Sequence, residues 1–264
     1  MSLKPAHQQV LDKLDWAEKH IQKLNAALRV FHDAHPVHLL TKTESDTGEL
    51  TYYVGEVPKI PSHIPLITGD VLHSLRGALD FLACGIVPVV TKDTKFPIGH
   101  SAQAYKSSLG RLVPGLNQAA LKVLDSVKPY DGGNITLSAL HRLNNIDKHR
   151  LLLTACTISP THHLTPEEIA VQDPLGPSDI PFTFPTGERA VLRFSNKGLP
   201  VSLHAGQKLL TVANTEANQN VRFFFAVALE EPGISEGLPL DMLLRFMYFE
   251  VQRVINKLAM FIVR

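Results

Sequence analysis

The chain has 264 residues, 44% of them hydrophobic and 19% charged, with 26 basic side chains set against 25 acidic ones. That composition provides for a sizeable core and excludes a disordered, tail-like protein. The formal charge of +1 excludes nucleic-acid binding by bulk electrostatics, since no excess of cations exists to displace counterions.

The opening residues carry no apolar signal-peptide core, so a cytoplasmic protein is expected. Over residues 5–35, Val10, Leu14, Ala17, Ile21, Leu24, Leu28 and Phe31 recur at alternating spacings of four and three. This predicts an amphipathic helix closed by Pro36. Residues 37–57 turn strand-like, with 38–41 and 51–54 flanking Ser45-Asp46-Thr47-Gly48, and predict a β-hairpin. A second helix over 65–86 carries the stripe Ile67, Val71, Leu75, Leu79, Leu82 and Ile86. Two short helices are expected near 102–109 and 116–127, and Asn134 or Thr136 can cap a third long one that runs to about 150. Its stripe is Leu137, Leu140, Leu143 and Ile146.

Beyond 150 the pattern becomes strand-like at 151–158, 190–194, 209–213 and 221–229, while 160–185, rich in Pro, Asp and Thr, reads as loop. Residues 240–263 return to heptad spacing through Leu240, Leu244, Met247, Val251, Val254, Leu258 and Phe261. Arg245, Glu250, Arg253 and Lys257 interrupt that segment, so it is not a membrane span. Cys84 and Cys156 stand in apolar runs and read as buried thiols outside any disulfide.

An α+β fold follows from the segregation of helices and strands. The expected single domain, 1–264, has a bundle of four main helices over 5–35, 65–150 and 238–264. A hairpin at 37–57 decorates it, and an antiparallel β section at 151–230 precedes the last helix. The two heptad stripes either pack within this bundle or form the seam of a homodimer.

Phosphate-loop, dinucleotide-binding, zincin and nucleophile-elbow motifs are all absent. His32, His35 and His38 are split by Pro36 and cannot share a helical face, so no metal is expected, and no cofactor. On the second helix His73, Arg76 and Asp80 share an arc opposite the apolar stripe, where Arg76 and Asp80 can form a surface ion pair. On the third, His141, Asn145 and His149 form a polar stripe, and Asp147 falls on the apolar one. A carboxylate there needs a partner: Arg76 first, His73 second, backbone amides third. Loss of either member of an Asp147–Arg76 pair would cost roughly 3–5 kcal/mol. The candidate catalytic residues are therefore His73, Arg76, Asp80, Asn145, Asp147 and His149.

Leu72-His73-Ser74-Leu75-Arg76-Gly77-Ala78-Leu79-Asp80-Phe81-Leu82-Ala83, Phe96-Pro97-Ile98, Lys128-Pro129-Tyr130 and Leu143-Asn144-Asn145-Ile146-Asp147-Lys148-His149-Arg150 resemble the ordered motifs of an uncharacterised bacterial protein family. Members often carry His where this chain has Phe81, and the resemblance implies no activity. A second similarity is to the HEPN class of helical bundles, many of which cut RNA with an Arg-x(4–6)-His pair. Arg142 with His149 and Arg29 with His35 fit that spacing. The function stays open to a role that the residues do not name, and two named readings are expected. One is a bacterial or phage binding or assembly protein. The other is metal-independent RNA cleavage, in which a histidine moves protons and an arginine stabilises the phosphorane.

Overall fold

The computed structural model describes residues 4–34, 37–162, 179–183, 189–193, 203–212, 221–231, 234 and 238–263. The chain is α+β, with its helices gathered around α2 (His63–Ile86), which packs against α1 (Pro5–Ala34), α5 (Ile135–Asp147) and α6 (Leu240–Leu258). All seven predicted stripe residues of α1 are buried. Helix α6 buries Leu240, Leu244, Met247, Val251, Val254 and Leu258, adds Leu243 and Ile255, and keeps Phe261 partly buried in a terminal 3-10 turn. Both heptad stripes are thus spent inside this chain, which leaves neither as the seam of a dimer. No helix among the described residues is long and apolar enough to cross a membrane.

Helix α2 departs from the amphipathic pattern expected of it. Besides the stripe it buries Ile64, Leu72, Ala78 and Ala83, so apolar neighbours meet it on more than one side. Gly69, Ser74, Gly77 and Ala78 are small enough to let them approach. Two shorter helices, α3 (Ala102–Leu112) and α4 (Gln118–Val127), lie between α2 and α5 in the chain. They are capped by Ser101 and Asn117, whose side chains accept from Ala104 N–H and Ala120 N–H. The predicted cap of α5 is Asn134: its Oδ1 accepts from Leu137 N–H at 3.0 Å, and its Nδ2 donates to Glu250 on α6.

The strands form three antiparallel groups. The expected hairpin, β1 (Leu39–Thr43) with β2 (Leu50–Val54), is joined by β6 (Lys208–Val212), which pairs Thr51 with Thr211 and Tyr52 with Leu210. A two-stranded hairpin is marginal alone, and a third strand drawn from the distant β section completes it. Strand β3 (Thr154–His162) pairs with β7 (Val221–Leu229), and β4 (Asp179–Thr183) with β5 (Arg189–Arg193). Part of the stretch expected as loop is therefore strand, including Pro160 and Pro181. Each sits in a two-stranded ribbon, where an edge position tolerates the missing donor. The rest of that expected loop, 163–178 and 184–185, lies outside the described residues, as do His35 and Pro36 at the end of α1. Cys156 is buried, Cys84 only half so, and neither forms a disulfide.

Asn134 serves two helices at once, so its replacement by alanine removes a cap and an interhelical link together. Urea denaturation of Asn134→Ala is expected to show a loss of about 1–2 kcal/mol. Asn134→Asp, which keeps the cap acceptor but faces Glu250 with a second carboxylate, should recover only part of it.

Candidate functional site

Arg76 and Asp80, one turn apart on α2, meet as the spacing predicts, but not at the surface. Arg76 is only 6% exposed. Its Nη2 donates both to Asp80 Oδ1 and to the carbonyl of Phe96, each at 2.8 Å. The same Asp80 oxygen accepts the Phe96 N–H at 2.9 Å. The ion pair thus grips both backbone polar groups of Phe96. Arg76 stands on a buried side of α2 that faces the Phe96 segment, and a guanidinium taken out of water must pair internally.

The segment held in this way is tied at two further points. Lys95 N–H donates to Leu112 O at the end of α3, and Gly99 N–H donates to Pro129 O, while Asp131 N–H returns to Gly99 O. Gly99 permits this crossing, since a Cβ there would come within 2.6 Å of the Tyr105 nitrogen. The Arg76–Asp80 turn, the Phe96–Ile98 segment and the Pro129–Tyr130 turn are therefore one hydrogen-bonded unit.

Between this unit, α3 and α5 lies a cavity of about 400 Å³, lined in part by Arg76, Lys95, Arg111, Ser138, His141 and Arg142. A smaller pocket of about 130 Å³ shares Arg76, Lys95 and His141 and adds His73, Asn145 and Lys148. Among the described residues, four buried side-chain polar atoms have no hydrogen-bond partner, and three of them belong to this wall: Arg76 Nη1, Ser138 Oγ and His141 Nδ1. The fourth, His20 Nδ1, lies elsewhere, 3.7 Å from Asp70.

The protonation of His141 follows from its neighbours. Lys148 Nζ donates to Asn145 Oδ1 at 3.4 Å, which orients the amide so that its Nδ2 faces His141 Nε2 at 3.2 Å. An amide nitrogen only donates, so Nε2 accepts and the ring proton resides on Nδ1. Burial first, and then the charges of Arg76, Lys95 and Lys148, push the pKa of His141 down to about 4. At neutral pH the ring is uncharged, with an N–H donor at its unpartnered nitrogen. Arg76, Ser138 and His141 thus each hold a buried polar atom without a partner behind this wall.

Of the six sequence candidates, His73, Arg76, Asp80 and Asn145 come together in the smaller pocket, while Asp147 and His149 line neither. His73 is exposed at the rim of the smaller pocket, and Asn145 acts through His141. Helix α5 ends at Asp147, so His149 leaves the polar stripe and is exposed in the turn beyond, outside both pockets. Arg150 is occupied too, donating to both oxygens of the buried Glu231 at 2.8 and 2.7 Å. Asp147 does not meet Arg76. Its carboxylate lies over Gly69, where an added Cβ would collide with it. Burial and the nearby charge of Asp70 raise its pKa, and His73 opposes them. The expected Asp147–Arg76 pair does not form because Asp147 packs against Gly69, two turns of α2 before Arg76. Lys95, Ser138, His141, Arg142 and Arg111 complete the site and were absent from the sequence candidates. For Ser138, His141 and Asn145 the available signal is their heptad spacing on α5, one step around from its leucines.

No protein-family model, curated protein or solved structure matches this chain.

Asp80→Ala leaves the buried guanidinium without its counter-charge and is expected to cost about 3–5 kcal/mol in chemical denaturation. Asp80→Asn still accepts from Phe96 and should cost less, about 1–3 kcal/mol. For Asp147 the sign runs the other way. A carboxyl with a raised folded pKa binds its proton more tightly in the native state, so stability falls as pH rises through the window above the ordinary carboxyl value. Asp147→Asn is expected to melt higher than the parent at neutral pH and to lose that advantage in acid.

Proposed function

We propose that this protein is a binding protein for an anionic ligand, one that presents a phosphate or similar oxyanion to the pocket between α2, α3 and α5. The carrying observation is the cation-lined cavity, three of whose lining residues, Arg76, Ser138 and His141, each keep a buried polar atom without a partner just behind its surface. Buried polar groups are nearly always satisfied, so a wall backed by three such groups gains from a small side-chain shift toward a guest rich in acceptors. The cavity, at about 400 Å³, lies within the usual size range of small-molecule sites. Asp131 is the single acid lining it, beside Arg76, Lys95, Arg111 and Arg142, of which Arg76 pairs with Asp80 and Arg111 with Asp93.

RNA cleavage by an Arg–His pair has weaker support. His149 is exposed and lines neither pocket, and His141 is uncharged at neutral pH with its proton committed to donation.

Calorimetric titration with sulfate and with phosphate tests this reading. Saturable binding is expected, weakened about tenfold or more in Ser138→Ala and in His141→Phe, in keeping with loss of one hydrogen bond to a charged group. His100 also lines the pocket, and sulfate keeps its own charge, so sulfate affinity reports the imidazoles of the site. It should rise toward about pH 4, where His141 takes up its proton and becomes a cation. Failure of both anions to bind overturns the proposal, as does cleavage of mixed RNA that disappears in His141→Phe.

A further inference from the structure

The two pockets are not independent. They share Arg76, Lys95 and His141, so one wall faces both cavities. Their remaining linings differ in kind. The smaller pocket has no apolar side chain: beyond the shared wall it is formed by His73, Gly77, Asp80, Asn144, Asn145 and Lys148. Asp80 is already neutralised by Arg76 at 2.8 Å, so Lys95 and Lys148 set the local charge. At about 130 Å³ this pocket has room for one compact polar group.

The larger pocket combines apolar surface from Ile98, Ala104 and Leu112 with acceptors from α3 and the turn before α5. Ser107 and Ser108 donate their hydroxyl protons to Ala104 O and Tyr105 O, which leaves their oxygens to accept. Asp131 adds a carboxylate. An organic body carrying hydroxyls suits this lining, and a bare inorganic ion would leave most of it unused.

We propose that the ligand is an organic diphosphate, its organic body and first phosphate in the larger pocket and its terminal phosphate in the smaller one, across the wall of Arg76, Lys95 and His141. This rests on the anion-binding reading above and extends it to the class of ligand. Two phosphates joined through one bridging oxygen are close enough to be served from a single shared wall. Lys148 then contacts only the terminal group.

The test is calorimetric titration of the full chain with inorganic phosphate, inorganic pyrophosphate, a nucleoside monophosphate, the matching diphosphate, and a single-stranded oligoribonucleotide without terminal phosphates. Pyrophosphate is expected to bind at least about tenfold more tightly than phosphate, and the nucleoside diphosphate to exceed its monophosphate by a similar factor. Lys148→Gln, at an exposed position that spares the fold, should narrow both gaps to under about threefold. Binding of phosphate with no gain for pyrophosphate overturns this inference while leaving the single-anion reading intact. No binding of either overturns both. An oligoribonucleotide that displaces pyrophosphate at lower concentration overturns the small-ligand assignment in favour of nucleic acid.

Discussion

The grip of Arg76 and Asp80 on the backbone of Phe96 is the constraint from which the site follows. A guanidinium taken out of water carries a desolvation cost of several kcal/mol, and a counter-charge alone seldom offsets it. Here the offset is spread over three hydrogen bonds that also satisfy the N–H and C=O of a loop residue. The loop is thereby fixed at a definite height above α2. Lys95 on one side of Phe96 and Ile98 on the other become pocket walls because of it. The same arrangement uses only one of the two terminal nitrogens of Arg76 and leaves the other buried without a partner.

The electrostatics of the wall follow from this scaffold, not from the overall charge. A chain with a net charge of +1 nonetheless brings Arg76, Lys95, Arg111 and Arg142 around one cavity. The low pKa of His141 registers that field from inside: three cations and burial together keep the ring neutral. His141 itself therefore stays uncharged across the physiological range, and its own response to pH lies well below it.

Much of the scaffold was legible in the sequence. The stripes of α1 and α6 can be read directly because each of those helices buries one face, and seven apolar positions at heptad spacing admit few alternatives. The hairpin, the capping role of Asn134 and the strand at Val221–Leu229 follow from equally local signals. Helix α2 is harder to read because its exposed stripe, through Leu66, Asp70, His73 and Phe81, is narrow and half apolar. Only Asp70, Arg76 and Asp80 are formally charged between His63 and Ile86, too few to cover a broad solvated face. The partner of Arg76 was illegible for a different reason. A backbone carbonyl leaves no mark in the sequence, so a guanidinium that spends its donors on Phe96 looks available to any nearby carboxylate. Asp147 resting on Gly69 is of the same kind, a contact made with the absence of a side chain.

The pairing of β2 with β6 has a consequence for how the chain comes to its fold. Helices α1 and α2 are close in sequence and pack early at small entropic cost, but Tyr52 waits for Leu210 across most of the molecule. Until that strand arrives, the Leu50–Val54 edge of the hairpin presents unpaired amides and carbonyls. During synthesis this is the interval in which a strand from a neighbouring nascent chain competes for the same edge.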